Sequence, residues 1–530
     1  MRKSTGSALA LFFLSFFAVA PFHCEPLPGQ LLSAYGDTGE DEAVSVANSP
    51  EGGFLLCGTT RDISGDSDAL IVRVDSEGKP LWHQKIGGAA DEEPSVMIAA
   101  GEESYLVAGY TQSVPGAWIG AWILKIRDNG EIAWQRYVAK AQVRAVCAVG
   151  DGNYFIAGRG KWNDGELEYP WLMKMAPNGS VLWQKVLSET WSGYWSGGIG
   201  GVAPLEDLGC VAVMDERICR FDKDGCLVWI KTFDKRVGVI SGIARVPGKG
   251  ILVCSGFWPD NLLARVTLIS DDGEVIWCRS SGTSFTFNEI LTRPDGKYLV
   301  LRDILENSGI LVIDDDGEFA GPAVDFMFPY EEGPAYQVYH YGTIAPDGNA
   351  AFVTTMDFGS SSTGYKHEMA LVKTGEGNAV SGGCSDSKEA LIAWDVRDLK
   401  SSALYQESQD WAMSSSDPSA YVTANHGTFS LHAGSLCPVI DKVNILRNPF
   451  RLEILGDNLT IGDYNEVEVT IDDVPVPVTT CKSPSRIIAK KDAALREMLP
   501  KGETVCIEIH SYVNNGNRYL WRSGCYEFKR

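Results

Sequence analysis

The stretch DSEGKPLWHQK, at residues 75–85, decides the fold because the chain contains five copies of this phrase. Every copy places a glycine four residues before a tryptophan. These pairs are Gly78 and Trp82, Gly130 and Trp134, Gly179 and Trp183, Gly225 and Trp229, and Gly273 and Trp277. Successive tryptophans lie 46 to 52 residues apart, and self-similarity at such a period indicates a repeat architecture.

Each repeat contains further phrases that predict strands. A short apolar run after a Gly-containing turn, as in residues 52–60 (GGFLLCGTT), occurs seven times, ending at residues 347–355 (DGNAAFVTT). An alternating run such as residues 69–75 (ALIVRVD) then leads into the glycine turn. Alternation bounded by Asp, Asn and Gly predicts strands joined by hairpins. Each repeat therefore supplies about four strands in about 48 residues, which is the pattern of one propeller blade.

The predicted fold is all-β, with a seven-bladed β-propeller over residues 30–378. An open solenoid and a string of sandwiches are the alternatives. Residues 31–42 (LLSAYGDTGEDE) align with residues 81–92 (LWHQKIGGAADE), so the chain begins with the last strand of a repeat. We predict that residues 31–35 pair with the blade that contains residues 369–374. Such pairing would remove an open edge, which favours a ring.

Residues that recur on the outer strands are interpreted as structural. A tryptophan on an outer strand can fill the gap to the next blade, and its burial contributes roughly 1.5 to 3 kcal/mol. Basic residues follow the tryptophans by two or three positions, namely Lys85, Arg136, Lys185, Lys231 and Arg279. We predict that these charges prevent edge-to-edge pairing of exposed outer strands.

The N-terminus and the charge balance restrict where the protein acts. Residues 1–24 are typical of a signal peptide, because Arg2 and Lys3 precede an apolar run too short to span a bilayer. We therefore expect a secreted or cell-surface protein without a membrane span. We also expect the protein to be a monomer. The net charge of −23 argues against nucleic acids and anionic membranes as partners. In an oxidising compartment disulfides persist.

Two further regions follow the repeats. Residues 379–437 are Ser-rich and lack the blade phrases, which predicts an extended connecting segment. Residues 438–530 contain short alternating runs with Gly, Asn and Asp turns, which predicts an immunoglobulin-like β-sandwich. A hairpin turn centred on Asn515 and Gly516 would end this module and would place two cysteines opposite each other. The candidate disulfides are Cys384–Cys437, at the ends of the Ser-rich region, and Cys506–Cys525, across this hairpin.

Catalytic motifs are absent from the sequence. It contains no HExxH, GxSxG, Walker or CxxC pattern, so we predict no catalytic residue, no metal site and no cofactor. Acidic residues open the first strands of repeats one and two, at Asp41, Glu42, Asp91 and Glu92. These four are the candidate ligand-binding residues, near one mouth of the propeller channel. The alternative interpretation is a solvated loop whose first carboxylate caps a turn.

The glycine–tryptophan blades resemble the tryptophan-docking propellers of quinoprotein dehydrogenases and of outer-membrane assembly lipoproteins. They are still more similar to secreted bacterial propeller repeats of the form DGGYLVAGxT…WLxKLDxxGxxxWxK, a group that has no uniform activity. Residues 448–459 (NPFRLEILGDNL) resemble the first strands of IPT/TIG domains, which implies an extracellular context. The quinoprotein resemblance implies eight blades and a vicinal Cys pair over the cofactor, whereas this chain has seven apolar phrases and no adjacent cysteines.

The sequence therefore favours a secreted or cell-surface, non-catalytic binding or scaffold protein. Its propeller loops would recognise a protein or glycan ligand at one propeller face. The alternative is an extracellular enzyme with a propeller active site, either a glycan hydrolase or lyase or a quinone-dependent oxidoreductase. Fold alone does not decide between these functions.

Overall fold

A computed structural model gives the fold of the chain. It describes residues 30–36, 40–61, 65–101, 103–114, 119–161, 168–187, 198–214, 217–233, 239–257, 262–281, 286–304, 307–321, 324–326, 341–357, 367–375, 387–389, 394–396, 401–404, 408–410, 415–416, 423–425, 432–435, 439–447, 450–457, 459, 466–472, 474–476, 479–483, 485–489, 493–514, 518–522 and 525–530. The predicted signal peptide and the predicted Cys384–Cys437 bridge lie outside these residues. Within them, no helix is both long enough and apolar enough to cross a bilayer.

Antiparallel sheets of consecutive strands dominate the described chain, as the repeated phrases predict. We number the sheets one to seven along the chain. Sheet one contains β2 (Glu40–Asn48), β3 (Phe54–Arg61), β4 (Ser67–Val74) and β5 (Pro80–Gly87); sheet two contains β6 (Glu92–Ala99), β7 (Ser104–Thr111), β8 (Gly120–Arg127) and β9 (Ile132–Ala139); sheet three contains β10 (Ala141–Ala148), β11 (Tyr154–Gly160), β12 (Tyr169–Met175) and β13 (Val181–Leu187); sheet four contains β14 (Gly201–Pro204), β15 (Cys210–Met214), β16 (Arg217–Phe221) and β17 (Leu227–Phe233).

The remaining three sheets continue the series. Sheet five contains β18 (Val239–Val246), β19 (Gly250–Phe257), β20 (Leu262–Ile269) and β21 (Val275–Ser281); sheet six contains β22 (Thr286–Thr292), β23 (Tyr298–Ile304), β24 (Asn307–Ile313) and β25 (Val324–Phe326); sheet seven contains β26 (Tyr341–Ile344), β27 (Ala350–Asp357), β28 (His367–Lys373) and the first strand of the chain, β1 (Leu31–Gly36).

The sheets are arranged in a ring as a β-propeller. The innermost strand of each sheet contacts the innermost strand of the next, and β26 of sheet seven contacts β2 of sheet one. At this last seam, Asn48 Nδ2 donates a hydrogen bond to the Ile344 carbonyl oxygen at 2.6 Å. The Ala43 N–H donates to Thr355 Oγ1 at 2.9 Å. The first and last repeats are therefore neighbours.

The first strand of the chain completes the last sheet. β1 pairs antiparallel with β28, from Leu31 opposite Lys373 to Tyr35 opposite Met369, so the predicted pairing of residues 31–35 is confirmed. Tyr35 is fully buried, and its hydroxyl donates to the Gly78 carbonyl oxygen of sheet one at 2.6 Å. This side chain therefore joins the two ends of the repeat series.

The five repeat tryptophans lie at the seams between consecutive sheets. Trp183 of sheet three donates its indole N–H to the Lys223 carbonyl oxygen of sheet four at 3.1 Å. A Cβ atom on Gly225 would lie 3.0 Å from the Trp183 ring. Gly225 has φ +81°, so the turn needs glycine, and the missing side chain leaves room for the ring. The other tryptophans make the same bond: Trp82 to Asp128 O, Trp134 to Pro177 O, Trp229 to Asp271 O and Trp277 to Asp315 O.

Most of the basic residues after the tryptophans bind the next sheet. Arg136 Nε donates to the Gly179 carbonyl oxygen at 2.9 Å, and the Arg136 guanidinium lies 5.4 Å from the centre of the Trp134 ring. Equivalent cross-seam ion pairs join Lys231 to Glu274 and Arg279 to Glu318, whereas Lys85 pairs with Asp68 of its own sheet. The predicted role in protecting exposed edges is wrong, because the outer strands they occupy are not edges.

A fifth strand covers the outer edge of every sheet, and it comes from the predicted connecting segment. We call residues 387–435 the belt. Its strands are β29 (Ser387–Glu389) on β25, β30 (Trp394–Val396) on β21, β31 (Ser401–Leu404) on β17, β32 (Ser408–Asp410) on β13, β33 (Ser415–Ser416) on β9, β34 (Thr423–Asn425) on β5 and β35 (His432–Ser435) on β1. The sequence expectation of a plain connection is therefore incomplete.

Sheet twist explains the course of the belt. Adjacent strands are rotated by about 20 to 25°, so a fifth strand lies at roughly 80 to 100° to the innermost one and runs along the rim. Every belt strand is antiparallel to the outer strand it meets. The belt must then travel round the ring in the opposite sense to the repeats. It visits sheets six, five, four, three, two, one and seven in that order.

The C-terminal module consists of two sheets over one core. The first sheet contains β36 (Val439–Arg447), β37 (Phe450–Asp457), β40 (Thr479–Ser483) and β41 (Arg486–Ala489); the second contains β38 (Glu466–Ile471), β39 (Val474–Pro475), β42 (Thr504–Asn514), β43 (Arg518–Arg522) and β44 (Tyr526–Lys529); one short helix, α1, spans Ala493–Glu497. Leu452 and Ile454 of the first sheet pack in the same cluster as Val469, Ile507 and Ile509 of the second.

The last hairpin of this module has a different register from the predicted one. Asn514 pairs with Arg518, which leaves three residues between the strands where the sequence suggested a two-residue turn. Further along β42, in its separate pairing with β44, Cys506 lies opposite Glu527. Cys506 and Cys525 nevertheless form a disulfide, with their Cα atoms 5.4 Å apart. The bond links the two strands diagonally and not across a directly opposed pair.

Candidate functional site

The acidic residues predicted as ligand contacts occupy two successive seams. Asp41 pairs with Thr60 in sheet one and Glu92 pairs with Thr111 in sheet two, at equivalent positions. Asp41 lies next to Gly36 of sheet seven, whereas Asp91 contacts sheet one. The two acidic pairs therefore belong to different seams.

The buried members of these pairs hold the backbone. Asp41 and Glu92 are both fully buried. Glu92 accepts a hydrogen bond from the Gly88 N–H at 2.6 Å and another from the Thr111 hydroxyl. Burial raises the pKa of Glu92, and these hydrogen bonds partly oppose that rise. The Glu92 carboxyl thus fixes the loop between β5 and β6.

The remaining members differ in exposure. Asp91 Oδ1 accepts hydrogen bonds from the Ser67 N–H at 3.0 Å and from the Ser67 hydroxyl at 3.1 Å. Glu93 Oε1 lies 3.2 Å from Ser67 Oγ and is an alternative acceptor for its single hydroxyl hydrogen. These bonds tie sheet two to sheet one. Glu42 is exposed, so among the four predicted residues it is the one whose side chain faces solvent.

A groove of about 570 Å³ lies at the seam between sheets one and two. Leu81 and Trp82 form its apolar part, and Glu51, Glu103, Arg127 and Asn129 are among its polar lining residues. These residues come from hairpin turns and from the start of β5. Its volume is in the range of small-ligand sites, roughly 300 to 1,000 Å³.

The floor of the groove is held by buried contacts. The Trp82 indole N–H donates to the Asp128 carbonyl oxygen at 2.8 Å. The Asp128 carboxylate binds Arg73 at 3.0 Å and accepts a hydrogen bond from the Tyr105 hydroxyl at 2.6 Å. Burial raises the pKa of Tyr105, so the phenol keeps its proton for this bond. Arg73 is 2% exposed. This buried ion pair holds Asp128 in place, and Asp128 in turn fixes the Trp82 side chain that forms the wall of the groove.

The upper part of the groove presents an apolar side chain beside charged ones. Leu81 is 58% exposed. Arg127 is paired with Glu131 at 2.7 Å on the surface, an interaction worth roughly 0 to 1 kcal/mol, so the guanidinium can turn to a ligand. An apolar platform flanked by carboxylates, an amide and a guanidinium suits a ligand with one apolar face and several hydroxyl or amide groups.

Sequence reasoning missed this groove because its parts belong to the repeat itself. The residue before the tryptophan is also an exposed aliphatic in three other repeats, at Leu182, Val228 and Ile276. Repetition led us to interpret the phrase as structural throughout. The signal that could have revealed the groove is the presence of charged residues in and beside the adjoining turns, at Glu51, Glu103 and Arg127.

An acidic residue that the sequence analysis did not single out, Glu289, lies at the seam of sheets six and seven. Glu289 of β22 is partly buried and accepts a hydrogen bond from the Gly342 N–H at 2.6 Å. Burial raises the pKa of the Glu289 carboxyl from 4.5 to about 8. In the sequence it is an ordinary polar position of an alternating strand. Among the described residues no group of three or more His, Cys, Asp or Glu is placed to hold a metal ion.

Replacing Glu289 with glutamine is expected to flatten the pH dependence of stability. The unfolded carboxyl loses its proton near 4.5 and the folded one near 8, so the free energy of unfolding falls as pH rises between these values. In Glu289→Gln the fall between about pH 5 and 8 should be smaller by about 2 to 4 kcal/mol, because one pKa unit corresponds to about 1.36 kcal/mol and partial exposure reduces the effect. Urea unfolding at several pH values measures it. The exposed Glu42→Gln variant is the control, and an unchanged slope in Glu289→Gln would contradict the assignment.

Comparisons with known proteins concern the fold. No family model and no curated protein matches the chain. Among solved structures, the chain is similar to a protein of unknown function from Bacteroides caccae, at 15% identity over 48% of this chain and 93% of that chain, with a TM-score of 0.30. It is also similar to the Dos1 propeller, at 10% identity over 65% and 95% with a TM-score of 0.39. Virginiamycin B lyase from Staphylococcus aureus is a third, at 9% identity over 64% and 99% with a TM-score of 0.37. Similarity at this level does not extend to activity.

Proposed function

We propose that the chain is an exported, non-catalytic binding protein, built as a closed seven-bladed propeller with an IPT/TIG-like immunoglobulin-fold module. The groove between sheets one and two carries this proposal, since it combines a fixed tryptophan and an exposed leucine with charged and polar side chains. The exported location remains supported by the basic and apolar sequence of residues 1–24.

The ligand that this groove fits best is a glycan. A sugar ring has one apolar C–H face that can cover Leu81 and Trp82, and its hydroxyls can bond to carboxylates and to Asn129. The charged lining contains both signs, which suits a neutral or mixed-charge saccharide better than a polyanion. A protein ligand is the competing outcome of a binding screen.

Exchange of the exposed leucine tests the groove. In a glycan-array or calorimetric assay, Leu81→Ala should weaken binding about 10-fold, because an apolar contact of this size contributes roughly 1 to 2 kcal/mol. Thermal stability should change little, since Leu81 is 58% exposed. Leu182→Ala is the matched control, because Leu182 occupies the same repeat position in sheet three at 51% exposure. Equal loss in both variants, or no loss in Leu81→Ala, would refute the groove as the site.

The alternative function, an extracellular glycan hydrolase or lyase, draws on Glu289. A carboxyl that keeps its proton at neutral pH has the property of a general acid. Under this alternative, Glu289→Gln abolishes turnover of a glycan substrate while Leu81→Ala leaves the chemical step intact. If the unmodified protein binds a glycan without turning it over, the result would support the non-catalytic function and contradict the enzyme alternative.

A further inference from the structure

We propose that the belt is the device that attaches the C-terminal module to the propeller. The rim of the ring acts as a strand-binding surface, and its occupant is residues 387–435 of the same chain. The inference does not depend on the ligand of the groove. It rests on the pairing of seven belt strands with seven outer strands and on the position where the belt ends.

The belt repeats with the spacing that the rim demands. Its first five strands begin at residues 387, 394, 401, 408 and 415, and the last two begin at 423 and 432, so each step is seven to nine residues long. A seven-residue step spans at most about 25 Å of extended chain, so seven such steps can reach round a circle of up to about 28 Å radius. Four strand spacings of about 4.8 Å separate the belt from the innermost strand, which leaves up to about 9 Å for half of the central channel. Sequence period and ring geometry therefore agree.

Main-chain pairing explains how a Ser-rich belt without the blade phrases binds the rim. When a strand is added to a sheet edge, the main-chain hydrogen bonds supply the affinity, and side chains supply only selectivity. Each belt strand pairs over two to four residues, so one strand alone is weak. Linked sites reinforce one another, and connected binding raises overall affinity by roughly 10²- to 10⁴-fold. The whole belt should stay bound to the rim even though each single belt strand can detach for a time.

The end of the belt is close to the start of the module. β35 ends at Ser435 and β36 begins at Val439. Four residue steps cover at most about 14 Å, so the module begins at the outer edge of sheet seven. β35 pairs with β1, which pairs in turn with β28. The module is thus connected to the ring through a stack of three strands.

Cleavage of the full chain at two alternative places tests the proposal. In the first variant a protease site is inserted into residues 376–383, between sheet seven and the belt, so that both cysteines of the predicted Cys384–Cys437 bridge stay on the released fragment. After cleavage, the belt-plus-module fragment should co-elute with the ring on gel filtration at micromolar concentration. A synthetic peptide of residues 387–435 should displace it, whereas a peptide of residues 401–404 should compete roughly 10²- to 10⁴-fold less well.

The second variant carries the protease site between Cys437 and Pro438, so that the predicted Cys384–Cys437 bridge stays with the belt and does not link the module to the ring. Here cleavage should release the module as a separate species, because the belt stays on the ring. Release of the fragment after the first cut would overturn the proposal. Retention of the module after the second cut would also overturn it, because the module would then bind the ring directly. Mild urea should detach the fragment of the first variant before the ring unfolds.

Discussion

Replacing Tyr35 with alanine is expected to lower the free energy of unfolding by about 3 to 5 kcal/mol, the usual cost of deleting a buried aromatic side chain. Tyr35 is fully buried on β1, and its hydroxyl bonds to the Gly78 carbonyl oxygen across the seam of sheets seven and one. The cavity would therefore open where the first and last repeats meet. Urea unfolding followed by tryptophan fluorescence measures the loss.

The conservative variant Tyr35→Phe separates packing from hydrogen bonding. It keeps the ring and removes only the hydroxyl, so its cost should be about 1 to 2 kcal/mol, that of an unsatisfied buried carbonyl. Nicking by a protease near residue 31 should increase in Tyr35→Ala and remain low in Tyr35→Phe. Equal stability of the two variants would show that the ring does not depend on this side chain for its closure.

Replacing Gly109 with alanine is expected to cost about 2 to 4 kcal/mol, which reaches beyond the roughly 1 to 3 kcal/mol usual for an overpacked core. Gly109 pairs with Pro94 beside a β-bulge of the innermost strand. A Cβ atom there would overlap the Glu93 carbonyl oxygen and lie 2.6 Å from the Pro94 Cα. These atoms are backbone, so the strand itself must move. Gly58 and Gly158 occupy the same place in sheets one and three.

A glycine in the same sheet provides the control for this variant. Gly101 has φ +68°, and a Cβ atom there would meet nothing within 4 Å. Gly101→Ala should therefore cost only about 1 to 2 kcal/mol, the penalty of the left-handed conformation alone. Thermal unfolding of both variants decides the point. A smaller effect for Gly109→Ala than for Gly101→Ala would contradict the close approach.

Periodic side-chain patterns made most of the ring predictable. The alternation before Gly78 gives the strands, and the alignment of residues 31–42 with residues 81–92 gives the pairing of β1 with β28. The belt could not be read in the same way. Its strands are two to four residues long and hold the rim through main-chain groups, so the sequence needs no alternation there. The expected edge-protecting role of Lys231 was wrong because the belt, which the sequence pattern does not reveal, covers the strand that carries it.

The candidate site was harder to predict than the fold. Acidic residues at strand entries suggested exposed carboxylates, yet Asp41 and Glu92 are buried. Exposure depends on which sheet packs over a position, and one sequence does not contain that information. The groove depends on turns from two repeats that meet only in the ring. Glu289 acquires its raised pKa from burial, a property of packing and not of the local sequence.

The composition of sheet seven has a consequence for synthesis of the chain. Its five strands come from the beginning, the middle and the late part of the chain, since β1, β26–β28 and β35 share it. An emerging chain must keep β1 available until β28 has been made, and contacts of such long sequence separation form slowly. During this time the edges of β1 and β28 are open to pairing with other chains. Termination of translation before residue 432 would leave β1 as an edge strand, so the intact C-terminal part also protects the N-terminal strand from aggregation.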